Sequence, residues 1–145
     1  MVTVRGGILL DTTVVLAMRT PHRQAPALQA WLRSVDVSQC WVSVLTWMEL
    51  RVGILKMART DPVQARLLDT WYESIRGNLA SRTVPFDDAA ATVSAPLWLM
   101  RARGSVDLLI GATALTRGFP LATRNAADFA DIPGLVVINP WESTV

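Results

Sequence analysis

A single cysteine, Cys40, leaves no partner for an intramolecular disulfide and no cysteine cluster for zinc, which points to a reducing, cytoplasmic compartment. No apolar run approaches the ~18 residues that a membrane-spanning helix needs. The N-terminus lacks a basic segment followed by a long apolar run and a small-residue cleavage site, so no secretory signal is expected. Repeats, low-complexity tracts and long linkers are absent. With 145 residues, the expectation is one domain over residues 1–145. Histidine occurs once, as His22 in the proline-flanked stretch "RTPHRQAP", and is expected at the surface rather than in catalysis. Lysine also occurs once, at Lys56, among 14 basic residues. Arginine suits bidentate phosphate contacts. Such usage also follows genome base composition, so it fits a nucleic-acid substrate without requiring one.

What remains is rich in core-forming residues. Hydrophobic residues make up 51% of the chain and mean hydropathy is +0.31, which excludes a disordered protein. Six tryptophans stand at Trp31, Trp41, Trp47, Trp71, Trp98 and Trp141. Most are expected in the core, with a few covering a subunit or partner interface.

Short apolar runs alternate with helical stretches. Strands are expected at Gly7–Asp11, "CWVSV" (40–44), "RTVPF" (82–86), "PLAT" (120–123) and "LVVIN" (135–139). Helices are expected from Thr12, over "ALQAWLRSV" and "TWMELRVGILKMA", and from "DPVQ", where Asp-Pro is a start signal. Thr46 and Thr60 are candidate caps. A helix capped by Asp87 or Asp88 is expected over 87–104, broken near Pro96, and another over 105–118 stopping at Gly118. Such alternation predicts an α/β fold whose parallel sheet is covered on both faces. Ligands in such sheets bind beyond the carboxyl ends of the strands.

The stretch "GILLDTTVVL" runs straight into Asp11 at one of those ends. A carboxylate in so apolar a run needs compensation. It is either a helix N-cap or a ligand at the end of a buried strand. Glu49 lies among Leu45, Met48, Val52 and Leu55, so part of its face is expected to point inward. Asp107 follows Ser105, with Ser105 capping and Asp107 in the first helical turn, and Gly111, Ala112 and Ala114 allow close approach. Asn125 and Asp128 follow the fourth strand in a polar loop. Three acids at strand ends or helix starts make a hard-oxygen site for Mg²⁺ or Mn²⁺, because clustered carboxylates need neutralising.

With these motifs in this order, the chain resembles PIN-domain proteins, specifically VapC/FitB-like toxins of type II toxin–antitoxin pairs. The resemblance rests on "ILLDTTVV", "SVLTWMELRVGI", "VPFDDAAA", "DLLIGATAL", "LATRNAADF" and "VINPW", and covers nearly the whole length. It implies a three-layer α/β/α sandwich around a parallel sheet of four to five strands, and a metal-dependent endoribonuclease. Asp11, Glu49 and Asp107 match the family's acidic positions. The fourth falls on Asn125, which can still orient a water or a ligand in catalysis but adds no charge, and Thr13 stands where the family has Asn. Thr123 and Arg124 match a T-R pair that positions the last loop. In this scheme Asp11 and Asp107 hold Mg²⁺ or Mn²⁺, and Glu49 holds a second ion or its water shell. Arg124 and Arg51, with Thr123, hold flanking phosphates of single-stranded or looped RNA. The resemblance further implies a cognate antitoxin, and the tryptophans and residues 90–100 suit an interface or a homodimer, with core expected for most of that segment.

Two rivals remain. A phosphoryl-transfer or receiver domain wants a second carboxylate beside Asp11 and a lysine after a later strand, and neither is present. A PIN fold with a degraded site, binding RNA or antitoxin without cutting, is kept open by Asn125 and Thr13.

Overall fold

The computed structural model describes residues 6–101 and 105–142. Its sheet has five parallel strands in the order β3-β2-β1-β4-β5: β1 Ile8–Leu10, β2 Cys40–Ser43, β3 Thr83–Val84, β4 Leu121–Ala122 and β5 Val137–Ile138. Central β1 pairs Leu9 with Trp41 on one side and with Leu121 on the other. A strand paired on both edges and covered on both faces reads as an unbroken apolar run, which is why "ILL" does not alternate with polar residues. Ile8 and Leu10 enter one core with Val14, Val15, Trp47 and Tyr72, whereas Leu9 enters the opposite core with Ile110, Leu121 and Phe129.

Among the described residues, six α-helices form the outer layers: α1 Thr12–Ala17, α2 Pro26–Ser34, α3 Val44–Ala58, α4 Pro62–Asn78, α5 Asp88–Met100 and α6 Val106–Arg117. Helices α1, α3 and α4 back the Ile8–Leu10 core, and α6 backs the Leu9 core. The fold is therefore the expected α/β/α sandwich. No helix among the described residues is long and apolar enough to cross a membrane.

Local differences have physical reasons. Ser43, not Thr46, caps α3 by accepting the Leu45 N–H at 3.0 Å, so the helix starts two residues early and Thr46 lies buried within it. Asp61, not Thr60, caps α4. Helix α5 runs through Pro96 without a break. Pro96 has no N–H to offer the carbonyl of Thr92 one turn back, and Thr92 is an exposed residue. The expected end of this helix, at 102–104, lies outside the described residues.

Burial also departs from expectation. Met48, Val52 and Leu55 of α3 are exposed, and the helix buries Trp47, Leu50 and Ile54 instead. The segment 90–100 buries only Ala90 and Ser94, leaving Trp98, Leu99 and Met100 exposed, so it is not mostly core. Of the tryptophans, Trp47 alone is fully buried. Trp31, Trp41, Trp71 and Trp141 pack against the cores from the side. His22 is exposed, as expected.

Candidate metal centre

From β1 the chain builds outward through β2 and β3, then crosses back to place β4 and β5 on the other side. The order reverses between β1 and β4, and the crevice beyond the carboxyl ends of two such strands is the place for a ligand. Asp11 follows β1 there and Thr123 follows β4. Asp11 occupies the N-cap position of α1, but its side chain makes no capping bond. Its main-chain carbonyl accepts the Val14 and Val15 N–H groups instead. Capping by the carboxylate, one of its two expected roles, is therefore absent.

That carboxylate is 1% exposed. Its Oδ2 accepts from Thr123 Oγ1 at 2.7 Å and from Thr13 Oγ1 at 3.1 Å. Its Oδ1 is buried with no partner among the described residues. An unpartnered buried carboxylate oxygen is costly unless a ligand completes it. Both threonines also hold the loop after β4: Thr13 Oγ1 accepts the Arg124 N–H and Thr123 Oγ1 accepts the Asn125 N–H. Thr13 thus supports the acidic cluster where the resembled family uses Asn.

Glu49 stands half-buried on α3, and Thr12 donates to its Oε1 at 2.6 Å. The Thr46 hydroxyl lies 3.1 Å from that of Thr12. Asp107 sits in the first turn of α6, which Ser105 caps through the Leu108 N–H. Burial is the chief cause that pushes the Asp107 carboxyl up to about 6, and the charges of Asp11, Glu49 and Asp128 push the same way against Arg101. Four carboxylates therefore share one field.

The fourth negative charge belongs to Asp128, which in sequence reads as a loop or helix-start residue. Asn125 is exposed, and its side chain has no hydrogen bond among the described residues. Asp128 lies in the 3₁₀ turn Ala126–Phe129. Buried Phe129 anchors this turn against α6, and a Cβ on Gly111 would come within 3.1 Å of the Phe129 ring. Arg101 fastens the same segment, bonding the Asp128 carbonyl and the Asp131 carboxylate. The signal in sequence is the Asp-Phe pair itself: an apolar anchor in a polar loop fixes its neighbour. Nothing comparable marks Thr12 or Thr46.

Arg51 does not join this group. It pairs with Asp69 of α4 and lies beside the Tyr72 ring. Arg124 is exposed, its guanidinium 5.4 Å from the Trp141 ring centre. Burial pushes the Cys40 thiol up to about 11, so it is no thiolate nucleophile at neutral pH. No three acidic, histidine or cysteine side chains among the described residues stand close enough to enclose an ion by themselves. Mg²⁺ does not require that. It is commonly held by one or two carboxylates with waters completing the shell, and Asp11 Oδ1 supplies a buried, unspent oxygen of that kind.

The PIN domain family model matches residues 8–135. The VapC ribonuclease Y4jK of Sinorhizobium fredii is 34% identical, over 93% of this chain and 98% of that protein. The toxin FitB of Neisseria gonorrhoeae is 31% identical, over 92% of this chain and 98% of that one. A toxin–antitoxin complex from Klebsiella pneumoniae contains a chain that superposes with a TM-score of 0.66 at 26% identity, covering 94% of this chain and all (100%) of that one. By the family match and by relatives at 31–34% identity over more than nine-tenths of its length, the chain belongs to the PIN-domain family, among the VapC/FitB-like toxins.

Proposed function

We propose that this chain is a metal-dependent endoribonuclease and the toxin of a type II toxin–antitoxin pair, working in the cytoplasm. The observation that carries the proposal is Asp11 Oδ1, buried and unpartnered at the switch point of the sheet, in a field with three further carboxylates. The names of the relatives support the ribonuclease and toxin assignments. In this reading Asp11 and Asp107 hold the divalent ion, and Glu49 holds its water shell or a second ion. Asp128 supplies the fourth negative charge that Asn125 lacks, which weighs against a degraded site.

Bound there, Mg²⁺ or Mn²⁺ supplies water activation and charge neutralisation at a phosphodiester. The chain's own residues prepare the place. Thr13 and Thr123 occupy Asp11 Oδ2, which leaves Oδ1 for the ion. Thr12 fixes the direction of Glu49. Arg124, hung on Thr13 by its main-chain N–H, holds a flanking phosphate of single-stranded or looped RNA. The exposed apolar residues Met48, Val52 and Leu55 of α3 and Trp98, Leu99 and Met100 of α5 give an antitoxin, or a second copy in a homodimer, surfaces to cover.

The test is calorimetric titration of Mn²⁺ and Mg²⁺ into the parent and the Asp11→Asn and Asp107→Asn variants, followed by an RNA cleavage assay. Binding and cleavage in the parent, lost in both variants, is the expected result. A parent that binds no ion and cuts no RNA would return the chain to the class of binding modules.

A further inference from the structure

Beside the acidic cluster, a groove of about 520 Å³ opens between α1, α4 and the loop after β4. Its volume is in the range of small-ligand pockets. Thr13 lines it, and the Thr13 hydroxyl touches both Asp11 Oδ2 and the Arg124 N–H, so groove and acidic site share this residue. Arg19, Gln64, Arg124 and Trp141 line it over an apolar floor that includes Leu16 and Leu68.

Three features of this lining match a nucleotide. Neither Arg19 nor Arg124 enters an ion pair among the described residues, whose pairs are Arg51–Asp69, Arg101–Asp131 and Arg117–Asp87. Two uncompensated guanidinium groups beside a cluster of carboxylates are suited to holding a polyanion that the carboxylates would repel. Next, Asn139 ties Trp141 to Arg124: its Oδ1 accepts the Trp141 N–H at 3.0 Å and its Nδ2 donates to the Arg124 carbonyl at 3.3 Å. With the guanidinium 5.4 Å from the indole centre, the pair forms a preset stacking platform, and unstacked bases stack on such aromatic or guanidinium planes. Finally, the Gln64 side-chain amide has no hydrogen-bond partner among the described residues and is free to meet a base edge.

We propose that this groove is the subsite for the nucleotide next to the scissile phosphate of a single-stranded RNA. Arg19 and Arg124 hold its phosphates, the Arg124–Trp141 pair stacks its base, and Gln64 contacts the base edge. The proposal rests on the ribonuclease reading and adds to it the residues that position the strand.

The test uses the full chain and a short fluorescein-labelled single-stranded RNA, with Kd followed by anisotropy in EDTA across a salt series. KM and kcat for cleavage are then measured in Mn²⁺. Arg19→Gln and Arg124→Gln should each reduce the slope of log Kd against log salt by about 0.7, the value for one phosphate contact on a single strand. Both should raise KM with kcat held. Trp141→Ala should weaken binding by about fivefold or more and Trp141→Phe should restore it. Arg33→Gln, on the exposed face of α2 and outside the groove, should change none of these.

Parent-like Kd, salt slope and KM in both arginine variants would overturn the subsite while leaving the ribonuclease reading intact. So would variants that bind RNA normally but no longer hold the cognate antitoxin, since the groove would then belong to a polypeptide. A parent that neither binds nor cuts RNA would overturn the ribonuclease reading, and the subsite with it.

Discussion

Asp11 is a buried carboxylate with two threonine hydroxyls on one oxygen and none on the other. Removing that charge should therefore help the metal-free fold while ending its response to metal. In EDTA at neutral pH, Asp11→Asn should melt at a higher temperature than the parent. Added Mn²⁺ should stabilise the parent and leave the variant where it is, because an ion that binds the native state adds to its stability. Equal stabilisation of both chains by Mn²⁺ would remove Asp11 from the ligand set. Thr123→Val tests the support beneath it. The change deletes a 2.7 Å bond to a buried charge and the acceptor for the Asn125 N–H, and should cost about 1.5–3 kcal/mol in urea denaturation.

At the scale of elements, α6 packs closely against the turn that carries Asp128. A Cβ on Gly111 would lie 2.7 Å from Ile132 Cδ1 and 3.1 Å from the Phe129 ring. Gly111→Val should overpack this contact at about 1–3 kcal/mol, more than its gain in helix propensity, and should shift Asp128 away from Asp107. Thermal melting with a parallel cleavage assay checks both effects, and a variant as stable and active as the parent would show that the turn yields freely. This join also marks where the sequence stops being legible. "ILLDTT" announces a strand and its site because three successive apolar residues before a carboxylate have few other homes. Asp128 escapes notice because a 3₁₀ turn of four residues has no period to read. The row Met48, Val52 and Leu55 misleads for a different reason. Spacing shows which residues share a helix face, but α3 is apolar on two faces and only the packing of Trp47, Leu50 and Ile54 decides which one goes inside. Caps are legible where Asp precedes Pro or stands before a helix. They are shifted at Ser43, where strand and helix join without a loop.

Over the whole molecule, four of the chain's twelve acidic residues share one field, so pH and metal should act on stability together. The Asp107 carboxyl, whose ordinary value is 3.8, is pushed up to about 6 in the fold. Below about pH 3.8 it is protonated folded or unfolded and makes no difference. Between that value and about 6 the unfolded chain ionises while the folded one keeps its proton, so stability falls as pH rises and then levels off. Asp36 and Asp131, whose hydrogen bonds hold their carboxyls below the usual range, act the other way and only at lower pH. Melting curves in EDTA should therefore decline through this interval. Asp107→Asn should flatten the decline and be the more stable chain above it. Mn²⁺ must compete with protons for its ligands, so it should stabilise the parent strongly at neutral pH and weakly near the acidic end of the interval. A metal-free profile without the decline would mean that neither burial nor its neighbours raises the Asp107 carboxyl. A decline that Mn²⁺ leaves untouched would mean that the carboxylates stand in one field without forming a metal site.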